Sequence, residues 1–301
     1  MDNYLFIRWN INNLLSQMVK SENIDYIAAY KGGKSRVLSV IRELWIKLRI
    51  PGKKIWYNNQ IGNYCGTIII NDAMMTEEFL RWIKERNPDA RCILWYWNNI
   101  TEHVIQPEQV RKLGYELWSY SKKDCEKYQL KYNTQFYSKA YYDNFNLKIK
   151  KNLTSEVSFV GKDKGRMGMI NALEESAGIE VNSYFVADHF YEFYKKKEYH
   201  LKALSYKAML DRYLVSKAIL DIVTDVNGGL TLRIMDGLYF EKKVITNNRT
   251  VKDYDFYHPN NFFVIGMDDI SQIHNFLLTE YQKLNENTKE FYELKKWLER
   301  F

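Results

Sequence analysis

Cysteine is scarce: Cys65, Cys92 and Cys125 are the only three in 301 residues. No two of them stand at metal-ligand or redox spacing, and an odd, scattered count argues against a disulfide framework and for a reducing compartment. Five histidines form no HExxH pair, and neither GxxxxGK[ST] nor GxGxxG occurs, which speaks against metalloprotease, ATPase and dehydrogenase chemistry. Four prolines and 14 glycines are few, so regular structure should dominate. No run of about 18 apolar residues is available to span a bilayer. The N-terminus lacks the apolar h-region of a secretory signal. The expectation is a cytoplasmic protein, with peripheral contact at the inner face of the membrane left open.

Hydrophobic residues make up 46% of the chain and aromatics 16%, with 24 tyrosines, which is enough for a sizeable core. The net charge is +7. A basic balance favours anionic partners such as nucleotides, nucleic acid or an anionic membrane surface.

Short apolar runs alternate with helical patterns along most of the chain. Residues 4–19 read as an amphipathic helix. Strand signals follow at Ile24–Tyr30, Lys54–Tyr57, Thr67–Ile70, Arg91–Trp97 and Glu116–Tyr120, with helices between them. The rhythm breaks at residues 138–155 and resumes with strands at Val157–Val160, Glu180–Phe185, Ile219–Thr224, Val244–Thr246 and Phe262–Ile265. Helices are expected at Asp268–Lys283 and Asn287–Phe301. This pattern predicts an α/β protein with two parallel sheets, in two domains over residues 1–147 and 153–286 followed by a terminal helix over 287–301. Ligands of such sheets sit beyond the carboxyl ends of the strands.

The richest stretch runs from Asp221 to Asn248. It reads as strand, glycine turn (Asn227-Gly228-Gly229), helix and strand. A glycine turn that opens a helix aims free N–H groups and the positive helix end at one spot, which suits a phosphate. Gly229, Leu230, Thr231 and Arg233 lie at that spot. Asp236, one turn on, suits ribose hydroxyls, or equally pairs with Arg233 on the same helix face. A second basic turn, Gly161 to Arg166, follows the first strand of the same half and offers Gly161, Lys162, Lys164 and Arg166 to an anion. Tyr206 is a candidate for stacking on a nucleobase or for packing. Gly32-Gly33 reads as a ligand-approaching loop or a plain turn. Asp72, Asn98, Asn99 and His103 stand at or just beyond strand ends, and Asp72 is the choice for a general base. Trp95-Tyr96-Trp97 reads as a sugar platform or as core.

Ser216-Lys217-Ala218-Ile219-Leu220-Asp221, Gly229 to Arg233, Asp236 and Lys242 to Asn248 resemble bacterial glycosyltransferases of the GT-B type, those of capsule and lipopolysaccharide assembly in particular. The resemblance implies two Rossmann-like domains facing a cleft: residues 1–147 as the acceptor domain and 153–286 as the nucleotide-sugar domain, with the C-terminal helix over 287–301 crossing back to pack on the first. It implies transfer of a sugar from a nucleotide diphosphate sugar, with a UDP-sugar the expected donor, to a saccharide or lipid-linked acceptor, with no obligatory metal and no nucleic acid. By it, Thr231 and Arg233 would hold the diphosphate or sugar and Asp236 the ribose, where family members often carry Glu. The rival readings are a metal-dependent GT-A transferase using Asp253 and Asp255, a nucleic-acid-binding protein, and a non-catalytic sugar-binding subunit.

Overall fold

The computed structural model describes residues 3–9, 14–31, 35–48, 50–147, 153–187 and 199–301. The Gly32-Gly33 loop expected from sequence lies outside them. The chain divides into two compact units, one ending at Thr134 but including Phe301, the other spanning Gln135–Arg300.

In the first unit β1 (Tyr4–Arg8), α1 (Leu14–Ser21), β2 (Asp25–Ala28), α2 (Arg36–Lys47), β3 (Thr67–Asn71) and α3 (Glu77–Arg86) lead to β4 (Arg91–Tyr96). Then come α4 (Pro107–Arg111), β5 (Glu116–Ser119), α5 (Lys122–Tyr128) and β6 (Lys131–Tyr132). The strands order as β2-β1-β3-β4-β5-β6, every pair parallel. In the second unit α6 (Lys139–Asp143), β7 (Ser155–Lys162), α7 (Arg166–Ala177), β8 (Val181–Val186) and β9 (Tyr199–His200) come first. They are followed by α8 (Tyr206–Leu214), β10 (Ser216–Asp221), α9 (Leu232–Tyr239), β11 (Lys243–Thr246), β12 (Phe262–Val264), α10 (Ile273–Leu278), α11 (Glu286–Phe291) and α12 (Leu294–Leu298). Its order is β12-β11-β10-β7-β8-β9, again all parallel. Both are doubly wound sheets. Strand order reverses between β1 and β3 in the first and between β7 and β10 in the second, so each sheet has one switch point where a crevice forms.

Three differences from the sequence reading have local causes. Leu5, Phe6 and Ile7 are consecutive and at most 2% exposed. A run buried on alternate sides belongs in a strand covered on both faces, so residues 4–8 form the strand beside the switch point, and the helix described after it is Leu14–Ser21. Lys53–Trp56 forms a 3-10 turn rather than a strand, entered through Gly52 at φ +80°. The two C-terminal helices are shorter than their patterns. The first is a 3-10 turn (Ile270–Gln272) running into α10, which stops at an extended Thr279. The terminal one is split into α11 and α12 because the Tyr137 backbone pairs into the gap. Tyr137 N–H donates to Tyr292 O at 2.9 Å, and Leu294 N–H donates to Tyr137 O at 2.8 Å. Those bonds place residues 135–147 with the second unit. Phe301 packs edge-on against Trp118 of β5, ring centroids 4.8 Å apart, and its carbonyl accepts from Arg91.

Lys242 and Lys243, which close the α9 pattern, are buried; the Lys243 ammonium donates to Phe276 O and, at 2.7 Å, to Thr279 Oγ1. It thereby caps the C-terminal end of α10. The helix that opens at the glycine turn sits directly on β11. A Cβ at Gly237 would meet Val244 Cγ2 at 2.5 Å and Lys242 O at 3.2 Å. Gly237→Ala should therefore cost about 1–3 kcal/mol through overpacking. Urea unfolding of the variant with and without Val244→Ala should show strong non-additivity, with Val244→Ala relieving part of the loss.

Candidate functional site

The second switch point is built around Asp221, the last residue of β10 and fully buried. Its Oδ1 accepts from Thr231 Oγ1 at 3.0 Å and Arg233 Nη1 at 3.3 Å, and its Oδ2 accepts from Thr246 Oγ1 at 3.0 Å. One carboxylate thus joins the end of β10, the start of α9 and the end of β11. Thr231 is also the N-cap of α9, its hydroxyl accepting from Ile234 N–H at 3.3 Å. Neither Asp221, Thr246 nor Asn248 stood among the sequence-predicted site residues. The signal for them was polar residues placed immediately at the ends of buried strands.

The glycine turn is held by its carbonyls. Asn248 Nδ2 donates to Gly229 O at 3.1 Å, and Thr250 Oγ1 donates to Gly228 O at 3.0 Å. The backbone N–H groups of Gly229, Leu230, Thr231, Leu232 and Arg233 make no hydrogen bond within the described residues. Five consecutive donors at the positive end of a helix, beyond the carboxyl end of a central parallel strand, are the kind of group an anion can use.

The side chains are deployed differently from the sequence expectation. The Arg233 guanidinium faces the sheet: Nη2 donates to Val160 O at 3.0 Å, and its carbon lies 5.1 Å from the Phe159 ring centroid. Gly161 lies within β7 rather than in a loop, and a Cβ there would come within 2.7 Å of Arg233 Nη2. Its missing side chain makes room for the arginine. Arg166 opens α7 and spans the same switch point, Nε donating to Ile222 O at 2.7 Å and Nη1 to Lys162 O at 3.0 Å. Lys162 and Lys164 are exposed at the mouth of the turn, Lys164 in the left-handed region at φ +46°.

Asp236 is fully buried. Its Oδ1 accepts from Tyr206 OH at 2.6 Å and Tyr142 OH at 2.7 Å, while Oδ2 has no partner. Tyr206 is therefore engaged through its hydroxyl, fastening α8 and, with Tyr142, α6 to α9. Burial lifts the Asp236 carboxyl from 3.8 to about 6, against the pull of the two tyrosines and Arg233.

At the first switch point Asp72 directly follows β3 and is 2% exposed, its Oδ1 accepting from Trp97 N–H at 3.0 Å. Burial raises its carboxyl to about 6, opposed by the Trp97 hydrogen bond and the charge of Arg8 at the end of neighbouring β1. Trp95 and Tyr96 are fully buried core and provide no sugar platform; the Tyr96 hydroxyl donates to Ile105 O. Asn99 accepts from Tyr120 OH, and His103 is exposed beside Glu102. Asp255 of the Asp253-Tyr254-Asp255 motif accepts from Tyr292 OH at 2.7 Å, which ties one of the two carboxylates to the terminal helices.

No protein-family model and no curated protein matches this chain. Among solved structures it is similar to an alpha,alpha-trehalose-phosphate synthase (UDP-forming) from Burkholderia vietnamiensis, with a TM-score of 0.54 over 99% of this chain and 98% of that one at 9% identity. The fold is accordingly of the GT-B type, each unit being a Rossmann-like domain.

Two outcomes follow from the buried charges. Asp221→Ala would strand the Arg233 guanidinium in the sheet, and denaturant unfolding should show a loss of about 3–5 kcal/mol. Asp236 behaves in the opposite sense to a salt-bridged carboxylate. The folded protein binds its proton more tightly than the unfolded chain does, so its contribution is fully present below about pH 4. It is lost as pH rises through about 6, in total about 3 kcal/mol. Asp236→Asn should therefore gain stability relative to the parent on going from pH 4 to pH 8, by roughly 1–3 kcal/mol in parallel unfolding curves. An unchanged difference between the two pH values would contradict the assignment.

Proposed function

We propose that the protein is a glycosyltransferase that moves a sugar from a nucleoside diphosphate sugar to a saccharide or lipid-linked acceptor in surface polysaccharide assembly. The observation that carries this reading is the run of five unpartnered N–H groups, Gly229 to Arg233, at the switch point of the second sheet. Two phosphates offer acceptor oxygens for several of these donors at once. The fold likeness is to a UDP-forming enzyme, which supports a UDP-sugar as the donor.

In this reading the chemistry rests on charge. Breaking the bond between sugar and phosphate leaves a negative charge on the diphosphate, and fixed N–H dipoles stabilise it without reorganising. Lys162 and Lys164 at the neighbouring turn add positive potential. Arg233 acts as a positioning residue: paired with Asp221, it keeps the first turn of α9 in place rather than reaching to the donor. Asp236 does the same through its tyrosines, so the ribose would find its partners elsewhere. Asp72, at the switch point of the other sheet, would take the proton of the acceptor hydroxyl, and a carboxyl raised to about 6 is closer to the operating pH than an ordinary aspartate. This activity would be exercised on the cytoplasmic side of the membrane.

Calorimetric titration with UDP, GDP, CMP, dTDP and their sugars, with and without EDTA, should show one nucleotide binding independently of metal. Leu232→Pro isolates the backbone contribution. Residue 232 is the first of the helix, where proline is tolerated, and Thr231 before it is extended at φ −99°, ψ 165°, as a residue preceding proline should be. The variant loses one N–H and no charge, and its nucleotide affinity should fall about 10- to 100-fold. Asp72→Asn should leave nucleotide affinity within twofold and reduce transfer by roughly 100-fold or more. Failure of every nucleotide to bind would overturn the proposed function, and full turnover in Asp72→Asn would remove the base.

A further inference from the structure

Trp97 connects two charged groups. Its backbone N–H donates to Asp72 Oδ1 at 3.0 Å, and the guanidinium carbon of Arg8 lies over its ring, 5.6 Å from the centroid. The ring packs in turn on Trp95, centroids 4.8 Å apart, and Trp95 is fully buried. The guanidinium is thus seated on an aromatic stack anchored in the core, and the cation–π contact holds it there. The backbone of Arg8 is equally fixed. It ends β1, which pairs with β2 on one side and β3 on the other, and its carbonyl accepts from Ala29 N–H at 2.7 Å.

Strand register brings the two charges to the same end of the sheet. Ile7 is abreast of Ile70, so Arg8 stands level with Asn71, and Asp72 is the next residue. Asn71 between them is neutral, its Oδ1 taken by Ala73 N–H at 3.3 Å. Burial works against the ionised form of Asp72, while the Trp97 hydrogen bond and the charge of Arg8 work for it. The relation is mutual: Tyr26 of β2 and Asp72 favour the charged form of Arg8 against its own burial. Tyr96 of β4 is a further titratable group beside Asp72. Burial first, then Asp72, pushes its hydroxyl far above the usual range, so it stays neutral where Asp72 titrates.

We propose that Arg8 is a positioning residue for Asp72: from its seat on Trp97 it supplies the positive charge that keeps the buried carboxylate ionised and so able to take the proton of the acceptor hydroxyl. The inference rests on the reading of Asp72 as the base. In that step the proton passes from the acceptor oxygen to Asp72, and the oxygen bonds to the sugar carbon. The bond from this carbon to the diphosphate breaks, its electron pair leaving on a phosphate oxygen. Burial alone would leave Asp72 protonated and useless as a base, whereas full exposure would leave it a weak one. A fixed charge in a poorly solvated site acts with little screening, so Arg8 sets where between these limits the carboxylate falls.

The test reads Asp72 directly, by NMR titration of the full chain isotope-labelled at its aspartate carboxyl groups. The Asp72 resonance is identified by its loss in Asp72→Asn. Its midpoint should rise by about one pH unit or more in Arg8→Gln. In Arg8→Lys, which keeps the charge, it should return to within about half a unit of the parent. The acid limb of kcat/KM should move with it, Arg8→Gln losing about tenfold on the acid side of the parent midpoint and recovering toward the parent at alkaline pH. A midpoint in Arg8→Gln equal to the parent's, or a loss of kcat/KM that is the same at every pH, would overturn the proposal. Failure of the base itself shows differently, as full turnover in Asp72→Asn. Should Arg8→Gln be too unstable to titrate, the double variant Arg8→Gln, Asp72→Asn should fold, because removing the carboxylate removes the need for the cation. A double variant as unstable as the single one would also overturn the proposal.

Discussion

The carboxylate of Asp221 is the constraint on which the second unit depends. It sits without solvent at the end of β10, and its partners belong to the segments that set the glycine turn, the first turn of α9 and the end of β11. Thr231 fixes the first turn of α9, Arg233 ties that turn back across the switch point, and Thr246 secures the end of β11. A buried carboxylate is costly unless its lone pairs are filled and a cation stands by. Here two threonine hydroxyls and one guanidinium meet that need, and the same bonds set the direction of the helix. The geometry of the proposed phosphate site is in this sense a by-product of neutralising one buried charge.

Two arginines straddle the same switch point, and both are turned inward. Arg166 bonds carbonyls at the ends of β7 and β10, while Arg233 bonds a carbonyl of β7 and the carboxylate of β10. What they leave unbonded is backbone: a row of N–H groups entered through a turn whose carbonyls are already held by Asn248 and Thr250, so that the proposed phosphate contact would order little that is not ordered already. Asp236 extends this economy one turn further along α9. It satisfies two tyrosine hydroxyls from α6 and α8, and it binds the chain between the two sheets to the helix that opens at the glycine turn.

The parts of this architecture encoded over short spans were readable from sequence. The glycine turn, the helix after it and the flanking strands are local patterns, and so was the placement of Asp72 immediately beyond a strand. Residues 4–8 were misread because the apolar run Tyr4–Ile7 next to a helix continues its periodicity, and only pairing with two neighbouring strands places it inside a sheet. The break in the terminal helix comes from a backbone segment some 155 residues earlier. The roles of Arg233 and Asp236 were illegible for the same reason. A charged residue in the first turns of a helix after a glycine turn reads as a ligand, and its conversion to an internal strut depends on Val160, Tyr142 and Tyr206, all brought in by topology. Which side of α2 is buried was hidden likewise: Arg42 and Ile46 are buried while Val37, Leu44 and Leu48 are exposed, and periodicity reports that a helix has an apolar face but not which way the face is turned.

The central claim is that a nucleoside diphosphate is held by the backbone between Gly229 and Arg233. Amide hydrogen exchange followed with and without the nucleotide that binds addresses it directly. The account predicts that slowing of exchange is concentrated in residues 229–233, with smaller changes at the Asp163–Gly165 turn. Saturable nucleotide binding that left exchange at 229–233 unchanged, with protection elsewhere, would contradict it.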